Sequence, residues 1–124
     1  MHALRLLDVA RRLFAALDGN RAVSARDLAN VAAYDSWART YPPLAHNALM
    51  RAEQRAMLEL WPEVRGACAL DLASGTGRYS LLLQETGAAR VVAADLSAGM
   101  LRRSPIAARI RADMARLPFT AETF

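Results

Sequence analysis

The sequence predicts an α/β fold built on a parallel sheet, and three observations predict it. Apolar runs at 67–72, 91–94 and, more weakly, 107–112 are short enough to be strands. Stretches of helical character follow the first two, over about 77–86 and then from Ser97 onward. Strand–helix–strand–helix–strand at this spacing gives parallel strands joined by right-handed crossovers. Each run also ends in an acid: Asp71, Asp95 and Asp113. Ligands of open parallel sheets bind beyond the carboxyl ends of the strands, so the three carboxylates are expected along one edge of one site.

Composition narrows the class. The chain has 124 residues, 54% hydrophobic and 23% charged, which is a globular balance and room for one core. No apolar run reaches the roughly 18 residues of a membrane span. Arg5, Asp8, Arg11 and Arg12 interrupt the apolar residues near the N-terminus, so a signal peptide is not expected and a cytoplasmic location is. The net charge is +4, carried by sixteen arginines as scattered singles and two doublets. Nucleic-acid binding asks for clustered cations with interleaved aromatics, and that reading is set aside, as is a membrane partner. Cys68 cannot form an internal disulfide and is expected as buried filler, not as a catalytic thiol.

The N-terminal half reads as helical. Leu6, Ala10, Leu13, Phe14 and Leu17 recur at helical spacing before Gly19, predicting a helix over about 3–18. Ser24 with Asp27 resembles a capping box, opening a second helix over about 25–33. Tyr34, Trp37 and Tyr41 then lead into Pro42-Pro43, an irregular apolar segment that either plugs the core or lies over a ligand as a lid. A third helix is expected over 45–60, closed by Pro62. His46 falls in its first turn and is expected at the surface; with no second ligand at metal spacing, a zinc site is not supported.

The stretch 67–83, ACALDLASGTGRYSLLL, carries the site. Small residues at Ala73, Ser74, Gly75 and Gly77 let backbone approach a ligand, and the following helix turns its unpaired N–H groups toward them. Asp95 stands eighteen residues after Gly77, where an acid can accept from a ribose diol. The loop is a poor dinucleotide fingerprint. Ser80 replaces its third small residue, and Asp71 would repel a pyrophosphate, which disfavours an NAD-binding oxidoreductase. An adenosine ligand without phosphates and with an ammonium near Asp71 fits better, and S-adenosylmethionine (SAM) has those features.

DLASGTGRYS, VVAADLSAGML and RADMARLPFTAETF, in that order, resemble the first three motifs of class I SAM-dependent methyltransferases. The nearest group is the small-molecule one that includes the ubiquinone/menaquinone and malonyl-carrier-protein methyltransferases, and the resemblance covers roughly 34–124. It implies a Rossmann-like parallel sheet, the first three strands of about seven, with a helical cap and lid over 1–62 and a cofactor half-domain over 63–124. It also implies that Asp71 and the backbone of Ala73 and Gly75 hold the methionine end of SAM. Asp95 would take the ribose hydroxyls, and Leu96 and Met100 would flank the adenine. Asp113 and the Met114 amide would meet its edge, while Tyr34 and Tyr41 would close over it. The family often has glycine where Ala73 stands, and alanine is tolerable there if its backbone is not left-handed.

A strand over 68–72 with only one neighbour would be an exposed apolar edge, prone to self-association. The sequence is therefore expected to be part of a longer, truncated protein. A complete fold that covers the edge with N-terminal helices is the other possibility. Function is expected to be methyl transfer to a small-molecule acceptor. The alternative is a catalytically incomplete nucleotide-binding module whose sheet a partner chain completes. No residue stands out as a catalytic base; His46 and the lid tyrosines are the available groups.

Overall fold

A computed structural model describes residues 25–124. The helix expected over 3–18 and Ser24 of the capping box lie outside the described residues. Three strands, β1 (Cys68–Leu72), β2 (Arg90–Asp95) and β3 (Arg109–Arg111), form one parallel sheet in the order β1-β2-β3. Cys68 pairs with Arg90 and Leu72 with Ala94, while Asp95 pairs with Arg111. This register brings Asp71, Asp95 and Asp113 to the same end of the sheet.

β2 is the central strand, and Val91, Val92, Ala93 and Ala94 are buried, as expected of a parallel strand covered on both faces. β1 is equally apolar but only half-buried along its length, because it has one neighbour in this sheet. Helix α3 (Arg78–Glu85) packs Leu83 against Val64 and Val91, with Trp61, Ala69 and Ala88 around them. Helix α4 (Ala98–Arg103) buries Met100 and Leu101 between β2 and β3. Its cap is the expected one: Ser97 Oγ accepts from the Met100 N–H at 3.1 Å.

Helix α1 (Ala25–Trp37) runs past the expected end near 33. Two contacts carry it on. Tyr34 and Trp37, one turn apart, stack edge to face with centroids 5.4 Å apart, and Asp35 is anchored on the first turn of α4. Helix α2 (Ala48–Glu59) starts three residues later than expected, because Asn47 is its cap and accepts from the Met50 N–H at 2.8 Å. His46 precedes it at the surface, its ring against Tyr41.

The strand expected over 107–112 shrinks to three residues. Its arginines serve the neighbouring loops: Arg109 Nη1 donates to the carbonyls of Leu101 and Ser104, and Arg111 Nε to that of Leu96. Arg109 thus braces the end of α4, and Arg111 the residue just before its cap. Cys68 is half-buried, not enclosed, because it lies on the open strand β1. Among the described residues no helix is long and apolar enough to cross a membrane.

Candidate functional site

The turn between β1 and α3 holds three left-handed residues in five: Ala73 (φ 56), Gly75 (φ 57) and Gly77 (φ 96). Glycine adopts this conformation freely, whereas an alanine pays about 1–2 kcal/mol for it. Ala73 therefore fails the condition under which alanine was tolerable, and the position is strained. The Ser74 N–H donates to the Ala94 carbonyl at 3.1 Å, which pins the turn onto the end of β2. Gly77 is the helix cap, not a lining residue of the cavity described below. A side chain there would meet Ser104 Oγ at 2.8 Å, so glycine is needed for packing and for the turn.

Asp71, next to last in β1, has Oδ2 accepting from Ser80 Oγ at 2.6 Å, and Ser80 is 0% exposed. Burial raises the Asp71 carboxyl above the usual carboxylate range, and the nearby Asp95 charge adds to this. The hydroxyl and N–H of Ser80, and Arg78, work against it. The serine that spoils the dinucleotide pattern is thus the residue that keeps Asp71 hydrogen-bonded. Only the coincidence of a buried serine and an acid nine residues earlier could have signalled that pairing.

Asp95 is held by two backbone donors. The Gly75 N–H reaches Oδ2 at 2.7 Å and the Ser97 N–H reaches Oδ1 at 2.8 Å. A carboxylate offers about four lone-pair sites, so two remain for a ligand. Asp113 folds back on its own turn, accepting from the Ala115 N–H at 2.9 Å.

A cavity of about 890 Å³ opens over this end of the sheet and continues along β1 to Trp61. Asp71, Ala73, Gly75, Asp95 and Asp113 lie on its polar side. Leu96, Met100 and Met114 line it too, with Leu96 and Met114 partly exposed and Met100 almost enclosed. Tyr34 of α1 and Tyr41 of the following turn line it as well. A volume of this order suits a small-molecule or cofactor ligand. Ser74 Oγ, in a residue 8% exposed on the cavity wall, has no hydrogen-bond partner. A buried polar atom left so is costly unless a ligand group meets it.

A second polar cluster borders the cavity. Glu53 of α2 accepts from Arg78 Nη2 at 2.6 Å and from the Tyr79 hydroxyl at 2.7 Å, with the guanidinium 4.5 Å from the Tyr79 ring centre. Burial and the bond to Glu53 push the Tyr79 phenol up to about 12. No local pattern marks these residues, because Glu53 is 25 residues from Arg78 in sequence.

A glycine turn and acids at the carboxyl ends of parallel strands define the Rossmann-like class of ligand-binding α/β unit. Within that class, residues 69–124 match the family model described as "Methyltransferase domain". It is 40% identical over 62 residues to an uncharacterized protein of Haemophilus influenzae, covering 50% of this chain and 24% of that protein. It is 36% identical to an S-adenosylmethionine dependent methyltransferase from Mesorhizobium loti, with a TM-score of 0.47 over 50% of this chain and 31% of that one. The chain thus spans about a quarter to a third of the length of these relatives.

Proposed function

We propose that this chain is the cofactor-binding part of a SAM-dependent methyltransferase that acts on a small-molecule acceptor. One observation carries the reading: Asp71 and Asp95 flank the glycine turn on a single cavity, an acid on either side of the ligand path. A pyrophosphate would meet Asp71, whereas an ammonium is drawn to it. Residues 63–124 form the binding unit in this reading, and 1–62 the cap and lid.

The residues present fit the cofactor. Asp71, Ser74 and the backbone of Ala73 and Gly75 would hold its amino-acid end, Ser74 Oγ gaining the partner it lacks. The free lone pairs of Asp95 suit a ribose diol. Leu96 and Met100 would bracket the adenine, and Asp113 and the Met114 amide would read its edge. Tyr34 and Tyr41, which line the same cavity, would close over the cofactor. When bound, SAM supplies an electrophilic methyl carbon on a sulfonium. The chain's own contribution is to hold that end in line with an acceptor. A cytoplasmic location is part of the proposal, to be checked by cell fractionation.

Calorimetry with S-adenosylhomocysteine tests the site. Binding by the wild-type chain is expected, and Asp95→Ala should weaken it about 10- to 100-fold, the worth of a hydrogen bond to a charged group. Absence of binding, or affinity unchanged by that substitution, overturns the assignment.

A second reading rests on the position of β1 at the sheet edge. A strand from another chain, including a second copy, would extend the sheet there, and the site would then work only within an assembly.

A further inference from the structure

A chain of hydrogen bonds leads from the glycine turn to α1. Gly75 and Ser97 donate their N–H groups to Asp95, and the Ser97 hydroxyl donates in turn to Asp35 Oδ1 at 2.5 Å. The Gly99 N–H donates to the same oxygen at 2.7 Å, and Ser97 Oγ accepts from the Met100 N–H. Ser97 is 2% exposed, whereas Asp35 is partly open to solvent. Asp35 follows Tyr34, which lines the cavity, and lies 62 residues from Ser97 in sequence.

The fit is also steric. A side chain at Gly99 would meet Asp35 Oδ1 at 2.8 Å, its Cα at 2.9 Å and its carbonyl oxygen at 3.1 Å. Backbone contacts that close cannot yield by rotating a side chain. Glycine at 99 and an acceptor at 35 are thus two independent requirements of one seat. The bonds from Ser97 and Gly99, with Arg102 and Arg111 nearby, hold the Asp35 carboxyl below the usual range, so it is ionised at neutral pH.

We propose that Asp35 is a positioning residue: it seats α1, and with it Tyr34, on the Ser97–Gly99 turn, and through Ser97 it fixes the orientation of the Asp95 carboxylate toward the ligand. This rests on the cofactor reading above. Asp35 touches no ligand in it; it acts through Ser97 and Tyr34.

Calorimetry with S-adenosylhomocysteine is combined with amide exchange of the ligand-free chain. Asp35→Ala is expected to weaken binding about tenfold. Both bonds end on Oδ1, which an amide oxygen can replace, so Asp35→Asn should keep affinity within about threefold. Gly99→Ala keeps the carboxylate but blocks the seat and should match Asp35→Ala, and the double variant should be no worse than either. Exchange over 28–37 should quicken in both damaging variants while 90–95 stays protected. The proposal falls if Asp35→Ala leaves affinity unchanged, if Asp35→Asn is as damaging as Asp35→Ala, or if 90–95 loses protection equally. Should Gly99→Ala fail to fold, the alanine–asparagine contrast at 35 decides alone. Loss of binding in Asp95→Ala with none in Asp35→Ala overturns this inference and leaves the cofactor reading standing. A wild-type chain that does not bind overturns both.

Discussion

Ala73 sits at φ 56, a conformation that costs a residue with a Cβ about 1–2 kcal/mol. Glycine would relieve that strain but would lose more chain entropy on folding, about 0.5–1 kcal/mol. Strain wins by a small margin, so Ala73→Gly is expected to stabilise the chain by about 0.5–1 kcal/mol, read from urea unfolding. Asp71 is the second strained residue, electrostatically. In the unfolded chain its carboxyl titrates near 3.8 and in the folded chain higher, so within that window the folded chain holds the extra proton. Stability therefore falls as pH rises from 3.8 through the folded value, and the penalty is complete above it. Asp71→Asn can still accept from Ser80 and carries no charge. It should raise stability at neutral pH, flatten the pH dependence in the acid range, and weaken S-adenosylhomocysteine binding about tenfold or more. Chemical denaturation at several pH values, paired with calorimetry, checks the two opposite signs together.

At the scale of elements, α2 is the weakly attached piece. It buries no residue, and Leu49 is 79% exposed. The Glu53–Arg78–Tyr79 cluster ties it to the start of α3, helped by Arg78 Nη1 donating to the Met50 carbonyl at 3.2 Å. Exposed ion pairs contribute about 0–1 kcal/mol. Glu53→Ala should therefore change global stability by less than about 1 kcal/mol, yet speed amide exchange across 48–59. It also removes one cause of the raised Tyr79 phenol, which should titrate below about 12 but above its ordinary value, since burial remains. Ultraviolet titration of the tyrosines reads this directly. The elements differ in how far sequence revealed them. β2 and α4 were plain because an apolar run, a terminal acid and a capping serine coincide within a dozen residues. The extension of α1 was not, because it depends on Asp35 meeting Gly99, a contact 64 residues apart. The same holds for the site: Asp71, Asp95 and the glycine turn are local patterns, whereas Ser80, Glu53 and Asp35 gain their roles from partners that only folding supplies.

The whole molecule is governed by an asymmetry between two similar strands. β1 and β2 are both apolar, but β2 is covered, whereas β1 is half-buried and, among the described residues, has no strand on its other side. Such a side is a template for another strand. Ala69 and Asp71 face α3, through the Leu83 cluster and Ser80 respectively. By strand alternation Cys68, Leu70 and Leu72 face the other way, adding an apolar strip beside the open edge. The chain is thus expected to associate reversibly, with a light-scattering mass that rises above 13.5 kDa as concentration increases through the micromolar range. Leu70→Lys places a charge on that strip without touching the α3 face, the device natural sheets use to blunt an edge. It should lower the mass toward that of a monomer at every concentration. A wild-type chain that stays monomeric throughout would show that this edge does not pair with a second copy. Association that survives Leu70→Lys would place the contact elsewhere, with exposed Leu49, Leu58 and Leu60 the next surface to charge.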